Sequence, residues 1–128
     1  MSKEIISTKE APAAVGPYSQ AVKVGNLIYT AGQIPLDPAT GKLVQGDIAA
    51  QTDRVMQNLH AVLTAAGSSL DNVVKTTIFL TDMGHYRAVN EVYGRYMAAN
   101  PPARSAVQVA ALPLGALIEI EMVAAAGD

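Results

Sequence analysis

The stretch VVKTTIFL, residues 73–80, has the pattern of a β-strand and lies between two helical patterns. Val74 and Thr76 alternate with Lys75 and Thr77, and the alternation continues to Leu80. Side chains that point in turn to opposite faces of a sheet are typical of a strand. A strand placed between two helices is the first indication of an α+β fold.

The helical patterns on either side have recognisable ends. Asp47 is a helix-capping residue, residues 52–66 carry apolar side chains at three- and four-residue spacing, and Gly67 is a typical C-terminal stop. After the strand, Asp82 is expected to cap a second helix over residues 83–99, which a Pro-Pro pair ends. The sequence therefore predicts two helices.

The remaining segments read as further strands. Residues 19–31 form two β-rich runs around a Gly-Asn pair, which predicts a hairpin, and residues 4–8 are a candidate edge strand. Residues 32–46 are rich in proline and glycine and read as an extended loop. Two more strands are predicted over residues 103–110 and 116–124. Together these patterns predict one α+β domain over residues 1–128, with a mixed sheet and two helices on one face.

Composition disfavours nucleic acid as a partner and excludes cysteine chemistry. The net charge of −2 and the scattered lysines and arginines offer no basic surface to a nucleic acid. With no cysteine there are no disulfides, thiolate nucleophiles or cysteine-based zinc sites. No leader-like or membrane-spanning apolar run is present, so we expect a cytoplasmic protein without a membrane partner.

The predicted sheet has more apolar surface than two helices can cover. In the hairpin, Leu27 and Tyr29 point away from Ile28, and in the last strand Val123 points away from Met122, yet all of these are apolar. One face would be covered by the helices. We expect a second copy of the chain to cover the other in a symmetric oligomer, with the site between subunits.

Arg104 is the most informative candidate for a functional side chain. It opens a predicted strand, and no charged side chain follows it until Glu119. Alternation places it on the side of the small residue Ala106, so its guanidinium has space to bind a carboxylate or a phosphate. A structural ion pair with Glu119 or Glu121, or a solvent-exposed arginine, is the alternative interpretation.

The other candidates are weaker taken singly. Glu119 and Glu121 project from one face of the last strand and resemble an acid–base pair, although exposed strands often carry such pairs. Tyr18 follows a Gly-Pro pair that fixes its backbone and could direct its hydroxyl into a pocket. His60 and His85 are interpreted as structural or solvated, so no metal site is expected.

Four motifs in order along the chain carry a family resemblance. GPYSQ at 16–20, GQIP at 32–35, PARS at 102–105 and IEIE at 118–121 together resemble the reactive intermediate deaminase (RidA, or YjgF-like) family, and the match covers nearly the whole chain. The resemblance implies a chorismate-mutase-like α+β subunit. It also implies a homotrimer whose sheets face a central barrel, with clefts between neighbouring subunits.

The resemblance further implies hydrolysis of 2-imino acids, such as 2-iminobutanoate or 2-iminopropanoate, to 2-keto acids and ammonia. No cofactor or metal is expected. Arg104 corresponds to the arginine that binds the substrate carboxylate, Glu119 to the glutamate that orients water, and Tyr18 to a tyrosine of the pocket. Asn90 corresponds to a pocket asparagine, and the backbone around Gly32 belongs to the cleft.

Two of the implied pocket positions depart from a common family pattern. Ala106 stands where many active members carry cysteine, and Ala31 stands where many carry serine. The mechanism needs no thiolate, so both alanines are expected to affect the size and polarity of the pocket. The alternative functions are a trimer that binds small carboxylates without turning them over and, less favoured, a ribonuclease or translation inhibitor.

Overall fold

The computed structural model describes residues 2–127 as one six-stranded sheet with two α-helices. The strands are β1 (Lys3–Ile6), β2 (Ala21–Val24), β3 (Leu27–Thr30), β4 (Val73–Leu80), β5 (Ala103–Gln108) and β6 (Ile118–Ala125), and the helices are α1 (Ile48–Ala65) and α2 (Tyr86–Met97). The α+β class predicted from the sequence is therefore confirmed.

The sheet is mixed, and its strand order places β6 near the middle. The order is β1-β2-β3-β6-β4-β5, with β4 and β5 parallel and all other neighbours antiparallel. The predicted hairpin is β2–β3, and Gly25 in its turn has the positive φ of 58° that favours glycine. The expected edge strand is β1. Strand β5, which carries Arg104, forms the opposite edge.

The first helix is as predicted, whereas the second is shorter than predicted. Asp47 caps α1, and its side chain accepts a hydrogen bond from the backbone of Ala50 at 3.0 Å. Asp82 also acts as a cap, but of a 3₁₀ turn over Met83–His85 and not of α2: its side chain accepts a hydrogen bond from the amide of Gly84 at 2.8 Å. Because that tighter turn occupies the start of the predicted helix, α2 itself begins at Tyr86 and ends at Met97.

The core lies between the two helices and one face of the sheet. Residues that the sequence placed on the inner face of α1 are buried, among them Val55, Met56, Leu59 and Val62. Residues 2–127 cover the other face of the sheet only in part, and Tyr29 there is 45% exposed. We call it the open face. Neither helix of residues 2–127 combines the length and the apolarity that a bilayer crossing requires.

Candidate functional site

The side chain of Arg104 lies on the helix-covered face of the sheet. Its partner in β4 is Thr76, whose hydroxyl shares a hydrogen bond of 2.9 Å with that of Tyr93 in α2. The Nη2 group of Arg104 donates a hydrogen bond of 2.7 Å to the hydroxyl of Tyr86. The guanidinium carbon also lies 5.5 Å from the centre of the Tyr86 ring and 5.0 Å from that of Tyr93. Aromatic rings at these distances stabilise a cation.

Among residues 2–127, Arg104 does not form the alternative structural ion pair with Glu119 or Glu121. Within residues 2–127 the ion pair formed is that of Arg95 with Glu91, at 3.7 Å on the exposed side of α2. Glu119 is paired with Phe79, an odd number of residues along β4 from Thr76, and therefore lies on the open face. Arg104 and the glutamates of β6 are thus separated by the sheet itself.

Asn90 and Ala106 belong to the Arg104 side of the sheet. Asn90 lies one turn of α2 after Tyr86, and its Oδ1 atom is buried without a hydrogen-bond partner in the described residues. A buried amide oxygen in that state is costly unless a ligand or a neighbouring molecule donates to it. Ala106 shares the face of Arg104 and packs against the core. We call these three residues with Tyr86 and Tyr93 the arginine cluster.

A second group of predicted residues surrounds a cavity at the other side of the sheet. The cavity has a volume of about 370 Å³, and its lining includes Tyr18, Ala31, Gly32 and Glu119. We call these four residues the glutamate cluster. Glu119 is half-buried, and a Cβ atom placed on Gly32 would lie 1.9 Å from its Oε2 atom. The absence of a side chain at Gly32 is therefore what leaves room for the carboxylate.

The carboxyl group of Glu119 is a better proton acceptor than an ordinary glutamate. Burial raises its pKa above the usual value, and the neighbouring charge of Glu121 raises it further. Proton transfer is most efficient when the pKa of a base approaches the working pH. Glu119 is therefore suited to take a proton from a water molecule in the cavity.

Tyr18 lies at the rim of the cavity, on a loop that hydrogen bonds of a buried side chain hold in place. Its side chain is 55% exposed, and its hydroxyl accepts a hydrogen bond of 3.3 Å from the amide of Val15. The loop before it is fixed by Gln20, whose buried amide donates to the carbonyls of Thr8 and Pro12 at 3.0 and 2.8 Å. Gln20 also accepts from the Thr8 amide at 2.7 Å.

Three of these contributors were not singled out from the sequence. Tyr86 and Tyr93 lie within the predicted second helix, but their contact with Arg104 depends on where β5 joins the sheet. Gln20 is part of the GPYSQ motif, but a buried glutamine has no periodic signature. The histidines remain outside both clusters, and no group of three metal-binding side chains occurs in the part of the chain described here.

Each cluster therefore holds half of the expected site. The arginine cluster offers a cation and an unpaired amide, whereas the glutamate cluster offers a proton acceptor in a cavity. The two lie on opposite faces of the sheet, so one chain cannot bring both to a single small ligand. A second copy that places its glutamate cluster against the arginine cluster of the first would complete the site.

Comparison with known proteins gives relatives over nearly the full length. The chain is 56% identical to Protein DfrA of Myxococcus xanthus over 97% of this chain and 96% of that protein. It is 50% identical to proteins of Homo sapiens and Mus musculus that are named 2-iminobutanoate/2-iminopropanoate deaminase, over 98% of this chain and 91% and 93% of theirs.

Solved structures have the same fold. A putative endoribonuclease from Thermotoga maritima superposes with a TM-score of 0.95 at 53% identity, and 98% of each chain is covered. RidA from the Antarctic bacterium Psychrobacter superposes with a TM-score of 0.92 at 48% identity, over 95% of this chain and 98% of the other. Residues 8–126 match the family model described as Endoribonuclease L-PSP, and the chain belongs to this family, the reactive intermediate deaminase (RidA/YjgF) family.

Proposed function

We propose that this protein hydrolyses 2-imino acids to 2-keto acids and ammonia in a cleft between two subunits of a homotrimer. The observation that carries the proposal is the half-buried guanidinium of Arg104, which has aromatic neighbours and no carboxylate partner among residues 2–127. A charge sheltered in this way is stable when a ligand supplies the opposite charge. Relatives at 50% identity that are named 2-iminobutanoate/2-iminopropanoate deaminase supply the substrate class.

Arg104 would bind the carboxylate of the substrate. A guanidinium fork donates two parallel hydrogen bonds to a carboxylate, and this fixes the adjacent C=N carbon in space. Asn90 would donate to or accept from the substrate at the same side, since its Oδ1 atom is otherwise unpaired. Ala106, two residues after Arg104, leaves the space beside the fork open.

Glu119 of the neighbouring subunit would activate the water. The substrate reacts as the iminium, the form in which the imine nitrogen is protonated. The water oxygen bonds to the iminium carbon as one water proton moves to Glu119 and the C=N electron pair moves to nitrogen, which gives a neutral carbinolamine. Glu119 returns that proton to nitrogen, and the C–N bond then breaks to release ammonia as the hydroxyl gives its proton to Glu119, which loses it to solvent. The products are a 2-keto acid and ammonia, and the raised pKa of Glu119 suits both proton transfers.

The decisive experiment generates 2-iminobutanoate in situ with an amino acid oxidase and follows its decay. We expect the protein to accelerate the decay and Arg104→Ala to abolish the acceleration. Arg95→Ala is the matched control, because Arg95 is an exposed arginine paired only with Glu91, and it should retain full activity. A wild-type protein that leaves the decay rate unchanged contradicts the proposal.

A binding protein without turnover is the second candidate function. TdcF of E. coli, which is 40% identical over 95% of this chain, was solved with bound serine, an amino acid with a free carboxylate. Binding of 2-ketobutanoate, measured by calorimetry, separates the two candidates. If the protein binds 2-ketobutanoate through Arg104 but does not accelerate imine decay, the cleft is a carboxylate-binding site only.

A further inference from the structure

The guanidinium of Arg104 makes a single hydrogen bond within residues 2–127, and its acceptor is the hydroxyl of Tyr86 at 2.7 Å. We propose that Tyr86 is a positioning residue of the site: its hydroxyl occupies one edge of the Arg104 guanidinium and thereby determines the edge at which a carboxylate binds. The inference rests on the function proposed above and adds a residue that orients its substrate.

The shape of the guanidinium makes this assignment possible. The group is planar, and four of its five N–H bonds form two edges that each present two parallel donors to a carboxylate. One edge combines Nε with Nη2 and the other combines Nη1 with Nη2, so each edge uses one of the two Nη2 hydrogens. Because the oxygen of Tyr86 accepts from Nη2, it takes one edge and leaves one complete edge for a ligand.

The guanidinium is also held in place by two aromatic side chains. The ring centres of Tyr86 and Tyr93 lie 5.5 and 5.0 Å from its central carbon. Tyr93 is itself buried, and its hydroxyl shares a hydrogen bond with Thr76 in the neighbouring strand. These contacts therefore limit how far the guanidinium can move, and the hydrogen bond to the Tyr86 hydroxyl limits its rotation.

Orientation within the plane matters for the proposed reaction. A carboxylate bound at either edge has nearly the same charge interaction with Arg104. Its attached C=N carbon, however, points in a different direction in each case, and only one direction faces a water held by Glu119. Loss of the Tyr86 hydroxyl should therefore affect the rate of the chemical step more than the affinity for a carboxylate.

The test compares Tyr86→Phe with Tyr96→Phe. Tyr96 is in the same helix, and its hydroxyl donates to Asp53 rather than to the arginine cluster. Steady-state kinetics are measured with 2-iminobutanoate, and the dissociation constant of 2-ketobutanoate is measured by calorimetry. We expect Tyr86→Phe to lower kcat about three- to tenfold and to change the dissociation constant less than about twofold. Tyr96→Phe should change neither.

A double-mutant cycle shows whether the effect passes through Arg104. The Arg104→Lys variant keeps the positive charge, but an ammonium group has no planar edges from which a carboxylate could choose. Adding Tyr86→Phe to Arg104→Lys should therefore lower kcat no further. An equal decrease in both backgrounds, or a kcat for Tyr86→Phe equal to the wild-type value, overturns the inference while the wild type remains active. A wild type that does not accelerate imine decay overturns the proposed function and this inference with it.

Discussion

At the scale of single residues, Gly32 and Glu119 compete for the same space. The carboxylate of Glu119 fills the position that a side chain at residue 32 would occupy, with its Cδ atom 2.8 Å from the place of a Cβ. The atoms involved are the far end of a flexible side chain, so an added methyl group would displace the carboxylate before it displaced the backbone. Gly32 therefore acts on the site through the position of Glu119.

We expect Gly32→Ala to lower kcat/KM at least about tenfold with little loss of stability, because the displaced carboxylate would no longer reach the water that Glu119 is proposed to activate. Gly94→Ala in α2 is the matched control, since a Cβ there meets nothing within 4 Å. It should keep full activity and gain about 0.5–1 kcal/mol of stability. Kinetics and urea unfolding of the two variants check the prediction, and equal activity in both contradicts it.

The raised pKa of Glu119 predicts a stability that depends on pH. The folded protein holds the proton of this carboxyl more tightly than the unfolded chain, whose reference value is 4.5. The protonated carboxyl therefore contributes fully to the free energy of unfolding when the pH is below 4.5. This contribution is lost as the pH rises through the pKa of Glu119 in the folded protein. Glu119→Gln should be more stable than the wild type at pH 7, although inactive, and the difference should disappear near pH 4. Unfolding free energies at the two pH values provide the test.

At the scale of elements, local patterns were enough to find both helices and the hairpin. The capping residue Asp47, the apolar spacing of α1 and the Gly-Asn turn each act over a few residues, so the sequence displays them directly. The contact of Tyr86 and Tyr93 with Arg104 was not predictable in this way. It depends on the parallel register that pairs Arg104 with Thr76, which no local pattern specifies.

The loop that carries Tyr18 depends on the buried side chain of Gln20, which immediately precedes β2. Gln20 is 3% exposed and bonds the backbone of Thr8 and Pro12. Gln20→Leu would leave buried backbone groups without partners, which should cost about 1–3 kcal/mol of unfolding free energy. Hydrogen exchange of the Thr8 amide should accelerate as well.

The control is Gln57→Leu, at an exposed glutamine of α1, which should change the unfolding free energy by less than about 0.5 kcal/mol. Similar losses of unfolding free energy in the two variants would contradict the role of Gln20.

At the scale of the whole molecule, the separation of Arg104 from Glu119 is the feature that most constrains function. The alternation of side chains across the sheet places them on opposite faces, and no rotamer change within one chain reverses that. The open face also carries large apolar side chains, with Leu27 39% and Tyr29 45% exposed. A covering subunit would bury this surface and bring a glutamate cluster to each arginine cluster.

Two inactive variants should therefore restore each other's activity. Arg104→Ala and Glu119→Gln are co-expressed with different affinity tags, and mixed oligomers are purified by both tags in turn. If the chain forms the proposed trimer, one of the three clefts of a mixed oligomer combines an intact Arg104 with an intact Glu119, so we expect about one third of wild-type activity. Glu119→Gln mixed with Gly32→Ala is the control and should recover none, because both changes lie in the same half of the cleft. Mixed oligomers of the first pair that stay inactive would show that Arg104 and Glu119 do not act together across a subunit boundary.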